Sequence, residues 1–409
     1  MYARIIVDIA HTKIDKVFDY LIPENIKPVV GGRVVVPFGH TEVEGYVLEL
    51  TETTDCVPEK IRPVIRVIED YAVFTPEQIR LAECVRIHYH TTLAFALRLM
   101  IPAELRRERV KVKTAEVAVA LETFDEDYEF LRGGCYTRAG VLRAKNKLAT
   151  IEKLKEQRKV PCAVLDRTSV KKLQEQGYIR IELQEQERIP YADFEEQKDE
   201  TVVLNREQKE ASKKICASIG QKDGGRFLLH GVTGSGKTEV YMQCAKFCLE
   251  QGKTAIVLVP EISLTPQLYG VFRARFGDRI ALFHSGLSAG EKYDQWRRVL
   301  SGEAKIVLGA RSAIFMPLTN LGMIVIDEEH EASYRSENHP TYSAHDIAYF
   351  RSKIDGASIV LASATPQIET YFLAKKGFYQ LIELPNRVQE LALPKMHIVD
   401  MRQEPLHCI

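Results

Sequence analysis

Glycine, serine, lysine and threonine recur at fixed intervals in Gly231-Val232-Thr233-Gly234-Ser235-Gly236-Lys237-Thr238. In such a loop the glycines let backbone N–H groups turn inward around phosphate oxygens, and the helix that follows presents its positive N-terminus. Lys237 and the Thr238 hydroxyl then meet the terminal phosphates and Mg²⁺. A second group of ionisable residues stands 90 positions on from Lys237 (327 − 237), where Asp327-Glu328-Glu329-His330 closes an apolar run. An acid in that place holds Mg²⁺, and the next polarises an attacking water, so Asp327 is assigned to the metal and Glu328 to the general base. The elements that must position these groups are legible around them. Phe227-Leu228-Leu229 reads as a buried strand before the loop, Glu239 to Glu250 as a helix after it, and Met323 to Ile326 as a buried strand before the acids.

The segments between and beyond these groups decide what kind of phosphate chemistry is served. After a strand at Ala255 to Val259 come Pro260-Glu261-Ile262-Ser263-Leu264-Thr265-Pro266-Gln267, Phe283-His284-Ser285-Gly286 and Gly309-Ala310-Arg311-Ser312-Ala313. A strand at Ser358 to Ala362 runs into Ser363-Ala364-Thr365-Pro366, a hydroxyl-rich turn able to bond the acidic cluster and couple phosphate status to bound DNA. Upstream, Gln208 in Asn205-Arg206-Glu207-Gln208 carries both a donor and an acceptor, which suits adenine, so ATP is favoured over GTP. Each segment alone could be an ordinary turn. Their order is that of a helicase motor and not of a kinase, transporter or small GTPase.

On these residues the chain resembles the bacterial primosomal protein N′ family (PriA), replication-restart helicases of superfamily two. The resemblance implies an ATP- and Mg²⁺-dependent 3′-to-5′ DNA helicase that binds stalled or abandoned forks and starts primosome assembly. Forked and single-stranded DNA, other primosome proteins and single-strand binding protein are the implied partners. The segment after the acids carries Tyr334 and Tyr342, like the family's aromatic-rich loop that couples DNA to hydrolysis. Aromatic faces stack on bases of any sequence, though such tyrosines can equally cap a sheet.

The N-terminal third matches the family separately. Ala3 to Ile9, Arg33 to Val36 and Gly45 to Leu50 alternate apolar and polar residues as strands of a small β-rich domain. The resemblance implies capture of a nascent 3′ end there, with Phe18, Asp19, Tyr20 and Gly39 in the pocket. An aromatic to stack a terminal base, a carboxylate for a free hydroxyl and a glycine permitting close approach fit that task. Where the family has a lysine before the strand beginning at Pro63, this chain has Arg62, with Lys60 two places earlier. The two cations differ in geometry, and either could meet a phosphate.

Between these regions, helix-like stretches at Gly140 to Gln157 and Thr168 to Gln176 precede Gly177-Tyr178-Ile179-Arg180-Ile181, an order that suits a winged helix. Arg138 to Lys172 holds eleven Lys or Arg and three Asp or Glu, which favours duplex contact, although a solvated helical face is the plainer alternative. Glu182 to Glu200 reverses the charge with eight acids and two bases, as an acidic linker would.

Lys plus Arg and Asp plus Glu are both 56 of 409 residues, so any pull on DNA must come from patches. No signal-peptide core or membrane-length apolar run is present, and a cytoplasmic, nucleoid-associated place in a bacterial cell is expected. Eight cysteines are scattered without any C-x-x-C, and Cys244 and Cys248 share a helix face as core residues. The family's paired-cysteine zinc insertion and second RecA-like lobe would lie beyond the last residue, and Pro405 to Ile409 departs from the family pattern. A C-terminally truncated reading frame is therefore expected, with no zinc ligands here. The expected domains are a 3′-end DNA-binding domain over 1–108, an α/β winged-helix-like domain over 109–192 and one RecA-like α/β P-loop lobe with a parallel sheet over 193–409. A helicase of replication restart is the leading reading. A non-catalytic fork-binding fragment with a residual ATP site is the alternative.

Overall fold

The computed structural model describes residues 1–388 apart from 10, 107–109, 111 and 192–201. The end of the expected acidic linker, the boundary expected near 108 and the departing tail at 405–409 lie outside the described residues. What is described divides into two compact units, one drawn from Met1–Ile101, Asp193–Ser285 and Trp296–Ile409, the other from Pro102–Ala192 and Gly286–Gln295.

The first unit opens with strands β1 Tyr2–Val7, β2 Val17–Leu21, β3 Arg33–Phe38, β4 Thr41–Thr51 and β5 Arg66–Val67, an antiparallel sheet in the order β2-β1-β4-β3-β5. Alternation sends Ile5, Val7, Val34, Val36 and Val47 into one core. Helices α1 Pro76–His88 and α2 Leu93–Arg98 follow. Thr75 and Gln78 form a reciprocal capping box that starts α1, and Thr92 caps α2.

The second unit carries β6 Thr114–Ala120, the helices α3 Glu122–Glu126, α4 Tyr128–Gly133, α5 Lys145–Gln157 and α6 Arg167–Glu175, and the strands β7 Lys159–Pro161 and β8 Ile179–Glu185. Its antiparallel sheet runs β7-β6-β8, so a strand that precedes the helices supplies the centre. Phe124, Leu131, Ile151, Leu154, Leu173 and Ile179 fill the space between sheet and helices.

The first unit also holds α7 Arg206–Cys216, β9 Arg226–Gly231, α8 Lys237–Glu250, β10 Thr254–Leu258, α9 Pro266–Phe276 and β11 Ile280–Phe283. After α10 Ala289–Leu300 come β12 Ile306–Gly309, β13 Leu321–Asp327, α11 Ala344–Asp355, β14 Ser358–Ser363, α12 Ile368–Lys375 and β15 Gln380–Leu384. The seven strands β9 to β15 form one parallel sheet in the order β11-β12-β10-β13-β14-β9-β15. This is a RecA-like lobe. Every residue of β10, β11, β12 and β14 is buried, which is why these strands read as unbroken apolar runs.

Candidate nucleotide and DNA sites

In a parallel sheet covered on both faces, ligands meet the loops at the carboxyl ends of the strands. The phosphate loop follows β9, the acidic cluster closes β13 and the hydroxyl turn closes β14. Because β13, β14 and β9 are neighbours, with Asp327 opposite Ala362 and Ser363 opposite His230, the three loops emerge side by side.

Gly234 and Gly236 hold φ of +80° and +79°, which lets the loop turn back on itself into the first turn of α8. A Cβ on Gly236 would stand 2.2 Å from the Gln208 amide nitrogen, so only glycine fits there, whereas Gly234 faces open space. Gly236 caps α8 without any side-chain hydrogen bond, which leaves the first-turn N–H groups for an anion. Ser235 is buried and its Oγ has no partner. Lys237 is buried and donates to the Gly231 carbonyl at 2.8 Å. Gly231, Gly234, Ser235, Gly236, Lys237 and Thr238 thus form a cradle that fits a polyphosphate, with exposed Val232 and Thr233 at its rim.

Gln208 lies beneath this loop. Its Oε1 accepts from Asn205 N at 2.9 Å, its Nε2 donates to Ser235 O at 2.9 Å, and it is only 1% exposed. The side chain expected at adenine therefore braces the loop, because the helix start at Asn205 claims it as a capping-box partner. Backbone downstream of β15 covers the loop from another side. Val388 N donates to Gly234 O at 3.0 Å, and Asn386 Nδ2 to Glu207 Oε1 at 2.7 Å.

Helix α8 reaches Asp327 through a residue that sequence reasoning missed. The Tyr241 phenol, buried on α8 one turn beyond Lys237, donates to Asp327 Oδ2 at 3.0 Å. Burial lifts the Asp327 carboxyl to about 6, against the pull of Tyr241, the Glu328 N–H and Lys237. A carboxylate lifted in this way is stabilised in its charged form by a cation, so Thr238 and Asp327 fit Mg²⁺. Glu328 sits in left-handed backbone at φ +43°, a conformation that costs a side-chain-bearing residue about 1 kcal/mol or more. Its partly exposed carboxylate stands 3.6 Å from His330 Nδ1.

The acidic cluster and the hydroxyl turn are joined. His330 Nδ1 lies 2.9 Å from Ser363 Oγ, which also accepts from Thr365 N at 3.0 Å, with Ala364 in between. Glu329, fully buried, accepts from Gln367 N at 2.7 Å and Thr370 Oγ1 at 3.1 Å, and His345 Nε2 stands 3.4 Å away. Burial pushes this carboxyl up, but His345, Gln367 and Thr370 outweigh it and hold it below the usual glutamate value.

Tyr334 and Tyr342 correct a sequence expectation, for both are buried. Tyr334 donates to Asp327 O at 2.6 Å, and Tyr342 packs edge-on against Phe315 at 5.0 Å. Their faces are closed to stacking bases, since packing beneath the loop claims them. The surface beside them is instead a polar hollow of about 330 Å³ lined by Glu261, Ser285, Arg311, Ser312, Arg335 and Asn338. Arg311 stands with its guanidinium 5.5 Å from the Tyr342 ring centroid and has a buried, unpartnered Nε.

In the N-terminal sheet, alternation separates the expected pocket residues. Phe18 and Tyr20 turn to the core side, Phe18 edge-on to Phe38 at 5.4 Å and Tyr20 donating to Pro37 O at 3.2 Å. Asp19 points the other way, where it pairs with Arg4 at 3.8 Å and accepts from Thr54 Oγ1 at 2.5 Å. Gly39, at φ +60° with open space around its Cβ position, has its carbonyl held by Arg62 Nη1 at 2.7 Å. Of the two candidate cations, Arg62 is the one tied to Gly39, and Lys60 is exposed.

Among the described residues no helix is long and apolar enough to cross a membrane. A family model described as the PriA 3′ DNA-binding domain matches residues 4–102, and a DEAD/DEAH box helicase model matches 205–372. The chain is 36% identical over 98% of its length to the replication restart protein PriA of Bacillus subtilis, of which it covers 58%. It is 32% identical to those of Synechocystis (98% of this chain, 57% of the relative) and Chlamydia pneumoniae (99% and 54%). The chain thus spans a little over half the length of these curated relatives. Among solved structures it is similar to RecG bound to a three-way DNA junction, at TM-score 0.36 and 23% identity over 46% of this chain and 24% of that one.

Proposed function

Because the chain belongs to the PriA family of replication restart proteins, we propose that it is an ATP-dependent DNA helicase module that binds abandoned replication forks. One observation carries the catalytic part of this reading. The phosphate loop, the acidic cluster and the hydroxyl turn leave adjacent strands, and Tyr241 and His330 tie them together. Lys237 and the α8 N-terminus would neutralise the terminal phosphates of ATP, with Gln208 bracing the loop. Thr238 and Asp327 would hold Mg²⁺, which supplies charge neutralisation between the outer phosphates. Glu328 would take the proton of the attacking water, and Ser363, Ala364 and Thr365 would report the outcome through His330.

DNA would engage two places in this reading. Gly39, Arg62 and half-buried Phe18 would serve a 3′ end, with Tyr20 buried behind them and Asp19 on the reverse face of the same strand, and the hollow around Arg311 would take the backbone of a single strand. Translocation 3′-to-5′, primosome assembly, partnership with other primosome proteins and single-strand binding protein, and a cytoplasmic place beside the nucleoid follow from the family and belong to this proposal. The test is a steady-state ATPase assay of the 409-residue chain with and without forked DNA, beside Glu328→Gln. DNA-stimulated turnover abolished by the substitution is the expected result. Turnover that Glu328→Gln leaves unchanged overturns the assignment.

A further inference from the structure

Helix α11 is held at its first turn by a residue that no motif contains. Tyr89, half-buried between α1 and α2, donates its phenol to Asp346 Oδ2 at 2.7 Å and accepts from Ser343 N at 3.0 Å. Ser343 is the N-cap of α11 and accepts from His345 N at 3.2 Å. His345 in turn stands 3.4 Å from Glu329 Oε2 and packs its ring edge-on to Tyr334 at 5.9 Å. Tyr334 donates to the carbonyl of Asp327. One phenol therefore lies at the head of a run of contacts that ends at the proposed metal ligand.

The other end of the run lies in the N-terminal sheet. Asp15 accepts from Leu93 N at 2.8 Å, and Asp8, just past β1, accepts from Arg98 Nε at 2.6 Å while its carbonyl takes Arg98 Nη2 at 2.8 Å. Both carboxylates fasten α2 to the sheet that carries Phe18, Asp19 and Tyr20. Phe95 of α2 meets His339 edge-on at 5.4 Å, and Thr91 Oγ1 lies 3.4 Å from the same imidazole. Hence α2 and Tyr89 grip the segment between the acidic cluster and α11 at two points.

We infer that Tyr89 is a positioning residue that couples the N-terminal DNA-binding sheet to the ATP site through the N-terminus of α11. The inference rests on the functional reading above and names the route by which its two sites communicate. Tyr89→Phe keeps the ring and removes both hydrogen bonds, while Asp346→Asn keeps an acceptor for the phenol and Asp346→Ala does not.

The experiment measures the Kd of a fluorescent Mg·ATP analogue with the full chain, without and with saturating forked DNA bearing a free 3′-hydroxyl. Coupling between sites is commonly about fivefold or more, and the wild-type chain should bind nucleotide at least about fivefold tighter with DNA. In Tyr89→Phe each ligand alone should bind within about twofold of wild type, while that ratio falls to within about twofold of one. Asp346→Ala should match it, the double variant should lose nothing more, and Asp346→Asn should keep the wild-type ratio. If Tyr89→Phe does not fold, Asp346→Ala reads the same contact from its other side. A wild-type ratio of one with both ligands bound, or a ratio that survives both substitutions, overturns the inference alone. Failure of the wild-type chain to bind nucleotide or DNA overturns the functional reading and the inference with it.

Discussion

Replacing Glu329 by alanine should unfold the RecA-like lobe far more readily, although Glu329 is neither the proposed metal ligand nor the proposed base. Its carboxylate is fully buried and takes hydrogen bonds from Gln367 N and Thr370 Oγ1 beside His345. Each bond to a charged acceptor contributes about 1.5–3 kcal/mol, and removal of the carboxylate would strand the Gln367 N–H and the Thr370 hydroxyl. The two bonds together give about 3–6 kcal/mol for Glu329→Ala. At about 2–4 °C per kcal/mol in a lobe of this size, the first unfolding transition should fall by roughly 6–24 °C. Glu329→Gln keeps an acceptor for the Gln367 N–H and should lose about a third of that.

Acidity provides a second reading of the same group. The folded carboxyl is held below the usual glutamate value, so its contribution is fully present above that value, about 4.3 in the unfolded chain, and is lost as pH falls through the lower folded value. Glu329→Gln should flatten stability in that acid window and leave neutral pH dependence alone. Thermal melts by circular dichroism between pH 3 and pH 7 measure both effects, those bounds being set about the unfolded value. A Glu329→Ala chain melting within about 2 °C of wild type at neutral pH would refute the assignment of a stabilising carboxylate.

Lys237→Ala should abolish binding of a fluorescent ATP analogue while fork affinity in a gel-shift titration stays within about threefold, since the lysine reaches only its own loop. Glu328→Gln should cut any ATP turnover by about 100-fold or more at unchanged nucleotide Kd, as loss of a general base does. Tyr241→Phe removes the hydroxyl that holds Asp327 and should weaken Mg²⁺-dependent nucleotide binding about tenfold, read by metal titration. Asp19→Ala should weaken binding to forks with a free 3′-hydroxyl and spare blocked forks; equal loss on both would make its bonds to Arg4 and Thr54 structural.

The parallel sheet was legible because strands buried on both faces admit almost nothing but apolar residues, and the phosphate loop because only glycine tolerates its backbone. The polar stitching was not. Tyr241 reads in the sequence as one more apolar residue on a core helix, and its hydroxyl matters only because β13 brings Asp327 alongside. Gln208 looked like a reader of adenine because its amide could do that. The capping box with Asn205, visible in the spacing, was the competing claim that prevailed. For Tyr334 and Tyr342 the sequence leaves base stacking and sheet capping open, and burial decides for packing because the start of α11 and the remote Phe315 close over them. Asp19 sits beside Phe18 and Tyr20 in sequence but across the sheet from them, a separation that the period of two already contained.

The hydrogen bond from Val388 N to the Gly234 carbonyl makes the phosphate loop and the backbone just past β15 one mechanical piece. A shift of the loop by a fraction of an ångström on meeting a phosphate would drag the backbone at Val388 with it, with no side chain in the line of force. Alanine scanning would be blind to such a linkage, because every alanine keeps its N–H. Only removal of the donor itself, as in Val388→Pro, cuts the line while leaving the loop sequence intact.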